Sequence, residues 1–159
     1  MTDLKKKLAA AGISGALLLS ATVLIAPFEG KRNEVYVDPA NILTSCYGHT
    51  GRELKKGQRF TDEQCLEQLA IDLSSHNKQM LSVVSVQLTE GEHAAYLSFV
   101  YNIGVGQWKK STALKLLNGG SRLTACEQLK RWIYIDGKPS KGLANRRQAE
   151  FNMCVKDLK

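Results

Sequence analysis

The stretch EGKRNEVYVDPANILTSCYGHTG, residues 29–51, decides the fold class of this chain. It is rich in Tyr, Val, Ile, Leu and Thr, which favour β-strands, and this bias continues to Phe60. Turn-forming residues interrupt the stretch at Asp38-Pro39, Gly48, Gly51 and Gly57. The sequence therefore predicts a small antiparallel sheet with tight turns between Lys31 and Phe60.

Helix start and stop signals fill most of the chain beyond this sheet. Thr61 with Gln64, and Thr89 with Glu92, form capping boxes, each of which predicts the start of a helix. We expect helices over about 61–80, 89–103, 111–118, 121–134 and 143–155. One small sheet followed by several helices predicts an α+β fold with a mainly helical lobe.

An uncharged run at residues 8–28 follows three lysines, Lys5 to Lys7, and ends directly before Glu29. As a single helix it would be about 30 Å long, enough to cross a bilayer. Its apolar side chains supply only about −3 to −5 kcal/mol of insertion free energy, so the run would be weakly held. The exit at Leu24 to Pro27 lacks the small-residue pattern of a cleavage site. We therefore expect an uncleaved N-terminal apolar helix, with residues 1–28 as an anchor and residues 29–159 as one domain.

The charge balance narrows the classes of partner. The formal net charge is +7, and the basic residues are scattered along the chain. A basic domain suits an anionic partner, which could be nucleic acid, a membrane surface or a cell-wall polymer. Export, scattered charge and the lack of base-stacking motifs disfavour nucleic acid. We therefore expect no nucleic-acid partner.

Four cysteines follow the apolar run: Cys46, Cys65, Cys126 and Cys154. An even number in an exported domain predicts disulfides. We favour Cys46–Cys65 and Cys126–Cys154 because each pair closes a short loop, and the sequence leaves the other pairings open. A zinc site using Cys46, His49 and Cys65 is disfavoured because no second pair of ligands follows. We expect neither a metal nor a cofactor.

Glu29, Asp38 and Thr44 form the constellation to which we assign chemistry. Two carboxylates on either side of a bond are the usual means of cleaving a glycoside. One carboxyl group must hold a proton at neutral pH, and the apolar pair Pro27-Phe28 could provide the setting for Glu29. Asp38 would stay ionised at a turn, and the Thr44 hydroxyl can bind the same water. Spacing alone is weak evidence, since loop carboxylates are usually solvated or cap a turn.

Several motifs together resemble the phage lysozymes, the endolysins of glycoside hydrolase family 24. That family has a Glu, an Asp nine positions later and a Thr six positions after that, which Glu29, Asp38 and Thr44 match. Further resemblance lies in CYGHTG at 46–51, SFVYNIGVG at 98–106, Ser111-Thr112 and GLANRRQAE at 142–150. Residues 1–28 resemble the uncleaved signal-anchor-release segments of lambdoid phage endolysins. The resemblance implies a lysozyme-like catalytic domain over residues 29–159.

By that resemblance the substrate is peptidoglycan, cleaved at the β-1,4 bond from N-acetylmuramic acid to N-acetylglucosamine. Glu29 would protonate the leaving oxygen, and Asp38 with Thr44 would activate a water on the opposite face of the sugar. This is an inverting mechanism, which requires carboxyl groups about 6.5–9.5 Å apart. We expect a monomer for this activity.

Other residues are candidates for the cleft or its support. Asn102 would cap a helix or line the cleft, and the family suggests that Arg146 or Arg147 pairs with Glu29. His49 is close to the site in sequence, although a structural role in a turn is the commoner one. We expect the large aromatic residues to lie in the core rather than to stack on sugars, namely Phe99, Tyr101, Trp108 and Trp132.

The junction at Glu29 suggests how the activity could be controlled. We expect the chain to sit first in the inner membrane with its N-terminus cytoplasmic, inactive while residues 8–28 are inserted, and then to act in the periplasm after release. Two other functions remain open. A lytic transglycosylase needs one acid and no water-binding Asp, whereas a non-catalytic, anchored wall-binding protein would not need Glu29 at all.

Overall fold

The apolar N-terminal run is folded into the domain. The computed structural model describes residues 3–158, so Met1, Thr2 and Lys159, which end the two predicted segments, lie outside the described residues. Helix α1 (Asp3–Ala10) ends at a turn, and helical backbone resumes as α2 (Gly15–Leu19), a π-helical stretch (Ser20–Ile25) and α3 (Ala26–Glu29). The prediction of one continuous helix over residues 8–28 is therefore wrong for this folded form.

Two glycines and the packing of the run explain the break. Gly12 has a φ of 88° and Gly15 a φ of 58°, values that strain residues with a Cβ. Leu8 and Ile25 are fully buried, and Ile13 is 7% exposed, so the turn brings apolar side chains into the core. Among residues 3–158, no helix has both the length and the hydropathy that crossing a bilayer requires.

The predicted antiparallel sheet is present but short. It consists of β1 (Arg32–Val37), β2 (Leu43–Cys46) and β3 (His49–Thr50), in the order β1-β2-β3. Tyr36 lies opposite Thr44 in the register, and Thr44 lies opposite Thr50 on the other side. Thr44 is therefore on the central strand, directly after the turn that carries Asp38.

Within the described residues, six α-helices after the sheet make up the second lobe. They are α4 (Asp62–Leu81), α5 (Glu90–Ile103), α6 (Val105–Lys110), α7 (Thr112–Asn118), α8 (Arg122–Gln128) and α9 (Lys141–Val155). Both predicted capping boxes are formed, at Thr61 and at Thr89. Helix α5 is buried along most of its length and packs against α2, α4 and α9. The N-terminal run also packs on α5, where the Ser20 Oγ donates a buried 2.7 Å hydrogen bond to the Ala94 carbonyl.

The helix predicted over about 121–134 ends early. A 3₁₀ turn (Leu129–Arg131) follows α8, and the chain then forms a hairpin from β4 (Tyr134–Ile135) and β5 (Lys138–Pro139). The hairpin turn is Asp136-Gly137, with φ values of 49° and 77°. Asp-Gly at positive φ is a preferred two-residue hairpin turn, so the local sequence contained a signal for this element.

The four cysteines form the two favoured disulfides. Cys46–Cys65 joins β2 to α4, and Cys126–Cys154 joins α8 to α9. Because the sulfur atoms of Cys46 and Cys65 bond each other, neither is available as the zinc ligand that the alternative interpretation required. Of the four aromatic residues expected in the core, Phe99 and Trp108 are fully buried.

Candidate active site

A cleft of about 730 Å³ lies where the small sheet meets the helical lobe. Its walls include Glu29, Asp38, Thr44 and Asn102, so four of the predicted site residues face one cavity. His49 and Arg146 do not line it, but each contacts a residue that does. The cleft also receives Tyr101 and Trp132, which were expected in the core, and Tyr134 and Ile135 of the hairpin, which the sequence did not single out.

Glu29 is the last residue of α3, and its side chain is 19% exposed. The Arg146 Nη1 donates to Glu29 Oε1. Gly48, with a φ of 77°, lies so close that a Cβ there would overlap the Glu29 carboxyl group. Phe28 is 38% exposed. Glu29 is therefore surrounded by a charged side chain and a glycine backbone, and not by the apolar setting that we expected from Pro27-Phe28.

Asp38 begins the turn between β1 and β2. Its Oδ1 accepts hydrogen bonds of 2.9 Å from the backbone amides of Ala40 and of Ile42. Within residues 3–158 the hydrogen bonds to this carboxyl group fall on Oδ1, which leaves Oδ2 for a ligand in the cleft. The turn therefore fixes the orientation of the Asp38 side chain.

Thr44 is 4% exposed and borders the same cleft. Its hydroxyl donates a 3.0 Å hydrogen bond to the Ile42 carbonyl. Because the proton is used in this way, the lone pairs of Oγ1 remain free to accept from a water molecule. Thr44 can therefore bind such a water as a hydrogen-bond acceptor.

His49 is held behind the cleft between two carboxylates. Its Nδ1 is 2.7 Å from Asp72 Oδ2, and its Nε2 is 2.8 Å from Glu53 Oε1. The hydrogen bond to Asp72 is the main cause that raises the pKa of His49 from 6.5 to about 9. The imidazole is therefore charged at neutral pH, and its position indicates a link from β3 to α4 rather than an acid or base in the cleft.

Arg146 belongs to a buried polar network on α5 and α9. Its Nε is 3.3 Å from Glu150 Oε2, and its Nη2 donates to the Ser98 carbonyl at 3.2 Å. Ser98 Oγ also donates to Glu150 Oε2 at 2.6 Å. Glu150 itself is fully buried, and Arg146 is 3% exposed. Arg146 thus bridges Glu29 in the cleft to a buried carboxylate.

Arg147 completes the network from the other side of Glu150. Its Nη1 donates to Glu150 Oε1, its Nη2 to Asn102 Oδ1, and its Nε to the Trp132 carbonyl at 2.9 Å. Burial lowers the pKa of Arg147, and the Glu150 charge opposes that effect. Ser98 and Glu150 were not among the predicted site residues. The available signal was the spacing of Glu150, which lies four residues after Arg146 and three after Arg147.

Two tyrosines border the cleft as neutral groups. Burial raises the pKa of Tyr36 and that of Tyr101 above the ordinary value. The Tyr101 hydroxyl donates a 2.7 Å hydrogen bond to the Tyr47 carbonyl, which anchors α5 to the segment before Gly48. Trp132 packs edge-on against the buried Phe99, with ring centroids 5.4 Å apart, and also faces the cleft. Trp132 therefore packs on the core, as expected, and also lines the cleft.

Comparisons with known proteins identify the family to which the chain belongs. The phage lysozyme family model matches residues 26–150. A SAR-endolysin of Bacteriophage PS119 is 39% identical over 91% of this chain and 90% of its own length. An endolysin from Escherichia coli O157:H7 phage FAHEc1 is 31% identical with a TM-score of 0.74, covering 84% of this chain and 89% of that one. The active form of the P1 phage endolysin Lyz shares the fold over 98% of this chain and 93% of its own, with a TM-score of 0.81 at 20% identity. The family match covers most of the chain, including every residue that lines the cleft, and this chain therefore belongs to the phage lysozyme family.

Proposed function

We propose that Glu29, Asp38 and Thr44 hydrolyse the β-1,4 bond between N-acetylmuramic acid and N-acetylglucosamine. The chain is a glycoside hydrolase and an endolysin, whose substrate is peptidoglycan. The observation that carries the assignment of roles is that all three side chains line one cleft of about 730 Å³. A cleft of this volume is large enough for sugar units together with an attacking water.

Glu29 is the proposed general acid. Its side chain is 19% exposed, and Gly48 leaves it just enough room beside the backbone. In the reaction Glu29 transfers its proton to the glycosidic oxygen as the bond from that oxygen to the anomeric carbon breaks. Arg146 keeps the carboxyl group in place and then stabilises the carboxylate that remains after proton transfer.

Asp38 and Thr44 are proposed to hold the water. One carboxylate oxygen of Asp38 is fixed by two backbone amides. The other oxygen can therefore accept a proton from water while the water oxygen bonds to the anomeric carbon. Thr44 accepts the second hydrogen of that water, because its own proton is directed at the Ile42 carbonyl. Water attack from the face opposite the leaving group inverts the anomeric centre. A site built to bind water in this way favours hydrolysis over transglycosylation.

The assignment is tested by mass spectrometry of purified cell-wall sacculi digested with the full chain. Wild type should release fragments that each carry one added water at a reducing sugar end. Glu29→Gln and Asp38→Asn should each lower the rate at least about a hundredfold. Glu34→Gln is the control for the first, because the Glu34 side chain is 57% exposed and forms an ion pair with the exposed Arg59. Anhydro sugar ends from Asp38→Asn at the wild-type rate would instead indicate a transglycosylase.

We also propose that residues 8–28 tether the chain to the inner membrane, with the N-terminus cytoplasmic, before release into the periplasm. The naming of the PS119 relative as a SAR-endolysin supports such a segment. In the folded form, however, Leu8 and Ile25 are buried, and Ser20 bonds to Ala94 of α5. These contacts are incompatible with a run inserted in lipid. The tethered chain would lack them and would be inactive, because the run ends directly before Glu29 and its packing on α5 positions that residue.

A further inference from the structure

The proposed acid has a neighbour that opposes its role. Glu29 must carry a proton, yet Arg146 donates to it directly, and a cation this close favours the carboxylate. Arg147, the next residue of α9, lines the same cleft as Glu29 and adds a second positive charge there. Two guanidinium groups therefore place positive charge on the side of the cleft that holds Glu29.

Glu150 offsets this charge. It lies fully buried between the two guanidinium groups and accepts from Arg146 through Oε2 and from Arg147 through Oε1. The formal charges of Arg146, Glu150 and Arg147 sum to +1, whereas without Glu150 they would sum to +2. In surroundings of low dielectric constant, removal of one charge from such a set acts strongly on the others.

The remaining groups that face Glu29 do not provide this balance. Tyr36 of β1 and Tyr101 of α5 have pKa values raised by burial and stay neutral. Asp72 of α4 is paired with the charged His49, and His76 bonds the Asp72 carbonyl. Asp38 faces the same cleft from the β1–β2 turn and is the proposed base. Ser98 of α5 fixes both Arg146 and Glu150 but carries no charge.

We propose that Glu150 is a positioning residue that keeps Glu29 protonatable, because it offsets part of the positive charge that Arg146 and Arg147 would otherwise exert on the cleft. This role rests on the proposed function of Glu29 as the acid. Glu150 touches neither the substrate nor the cleft, and it acts only through the two arginines. It follows that the pH above which activity falls, as Glu29 gives up its proton, depends on the buried Glu150 carboxylate of α9.

The test measures kcat/KM on purified sacculi against pH for the full chain and three variants. Glu150→Gln keeps the shape but removes the negative charge, so the alkaline limb of the profile should move to lower pH by about one unit. Arg147→Gln removes a positive charge, so the limb should move to higher pH by a similar amount. Glu150→Asp keeps the charge, and its limb should stay within about 0.3 of wild type even if its activity falls.

The opposite directions separate this role from a purely structural one. Loosening of the packing between α5 and α9 would lower activity and thermal stability in all three variants without moving the limb. ¹³C NMR titration of the Glu29 carboxyl group gives the same shifts without turnover. If Glu150→Gln does not fold, the shift of Arg147→Gln decides alone. If Glu150→Gln and Arg147→Gln fold but leave the alkaline limb of the pH profile in place, and Glu29→Gln is inactive, the role of Glu150 is wrong. If Glu29→Gln is active, the proposed function of Glu29 is wrong instead.

Discussion

Raising the pH above neutrality should weaken the fold through His49. In the folded chain the hydrogen bond to Asp72, aided by Glu53, raises the pKa of this imidazole to about 9, against 6.5 when unperturbed. The folded state therefore binds a proton that the unfolded state releases between these two values. The resulting stabilisation is complete below pH 6.5, falls as pH rises, and is lost once pH passes about 9.

The size of the effect follows from the exposure of the three partners. At about 1.4 kcal/mol per pKa unit, the whole shift would be worth about 3 kcal/mol. The side chains of His49 and Asp72 are 17% and 15% exposed, but that of Glu53 is 66% exposed, so solvent screens its contribution. Discounting for that screening leaves about 2 kcal/mol, most of it in the contact with Asp72.

Urea unfolding at pH 6 and pH 10 measures the effect as a difference between variants. Wild type should lose about 2 kcal/mol more than His49→Asn over this range, because lysines and tyrosines titrate equally in both. Asp72→Asn should abolish most of the excess, whereas Glu53→Gln should retain most of it. An equal loss in His49→Asn and wild type, or a larger effect of Glu53→Gln than of Asp72→Asn, would refute the role of His49.

Three further predictions concern the cleft, the N-terminal run and a disulfide. Gly48→Ala should displace the carboxyl group of the proposed acid and lower kcat by about a hundredfold, whereas Gly57→Ala, which has a similar φ of 83° and nothing within 4 Å, should cost stability without this loss. Ala10→Leu, at an exposed position of α1, should add about 0.5 kcal/mol to membrane insertion and delay lysis after an uncoupler, while the purified enzyme keeps its activity. Replacing both Cys126 and Cys154 by Ala should lower the free energy of unfolding by about 3 kcal/mol in urea titrations, since the disulfide closes a 28-residue separation; a change under about 1 kcal/mol would contradict this.

The parts of the site that could be predicted from sequence are those built by local contacts. Asp38 is oriented by amides two and four residues away, and the Asp38-Pro39 turn signals this directly. The contact between Arg146 and Glu29 spans 117 residues and depends on how α9 packs. The family resemblance suggested it, but no periodicity specifies it. Glu150 carried the correct helical spacing to both arginines, yet spacing does not reveal that all three side chains are buried.

The N-terminal run shows why hydropathy alone predicts the wrong conformation. Its small residues make insertion in a bilayer marginal, and these are the residues that the folded form uses. Gly12 and Gly15 turn the chain at positive φ, and Ser20 forms its buried hydrogen bond with α5. A run of large apolar residues would hold a membrane more firmly but would provide neither the turn nor the hydrogen bond. The small residues that weaken the proposed membrane tether are therefore the same residues that let the released segment complete the core and fix the backbone at Glu29.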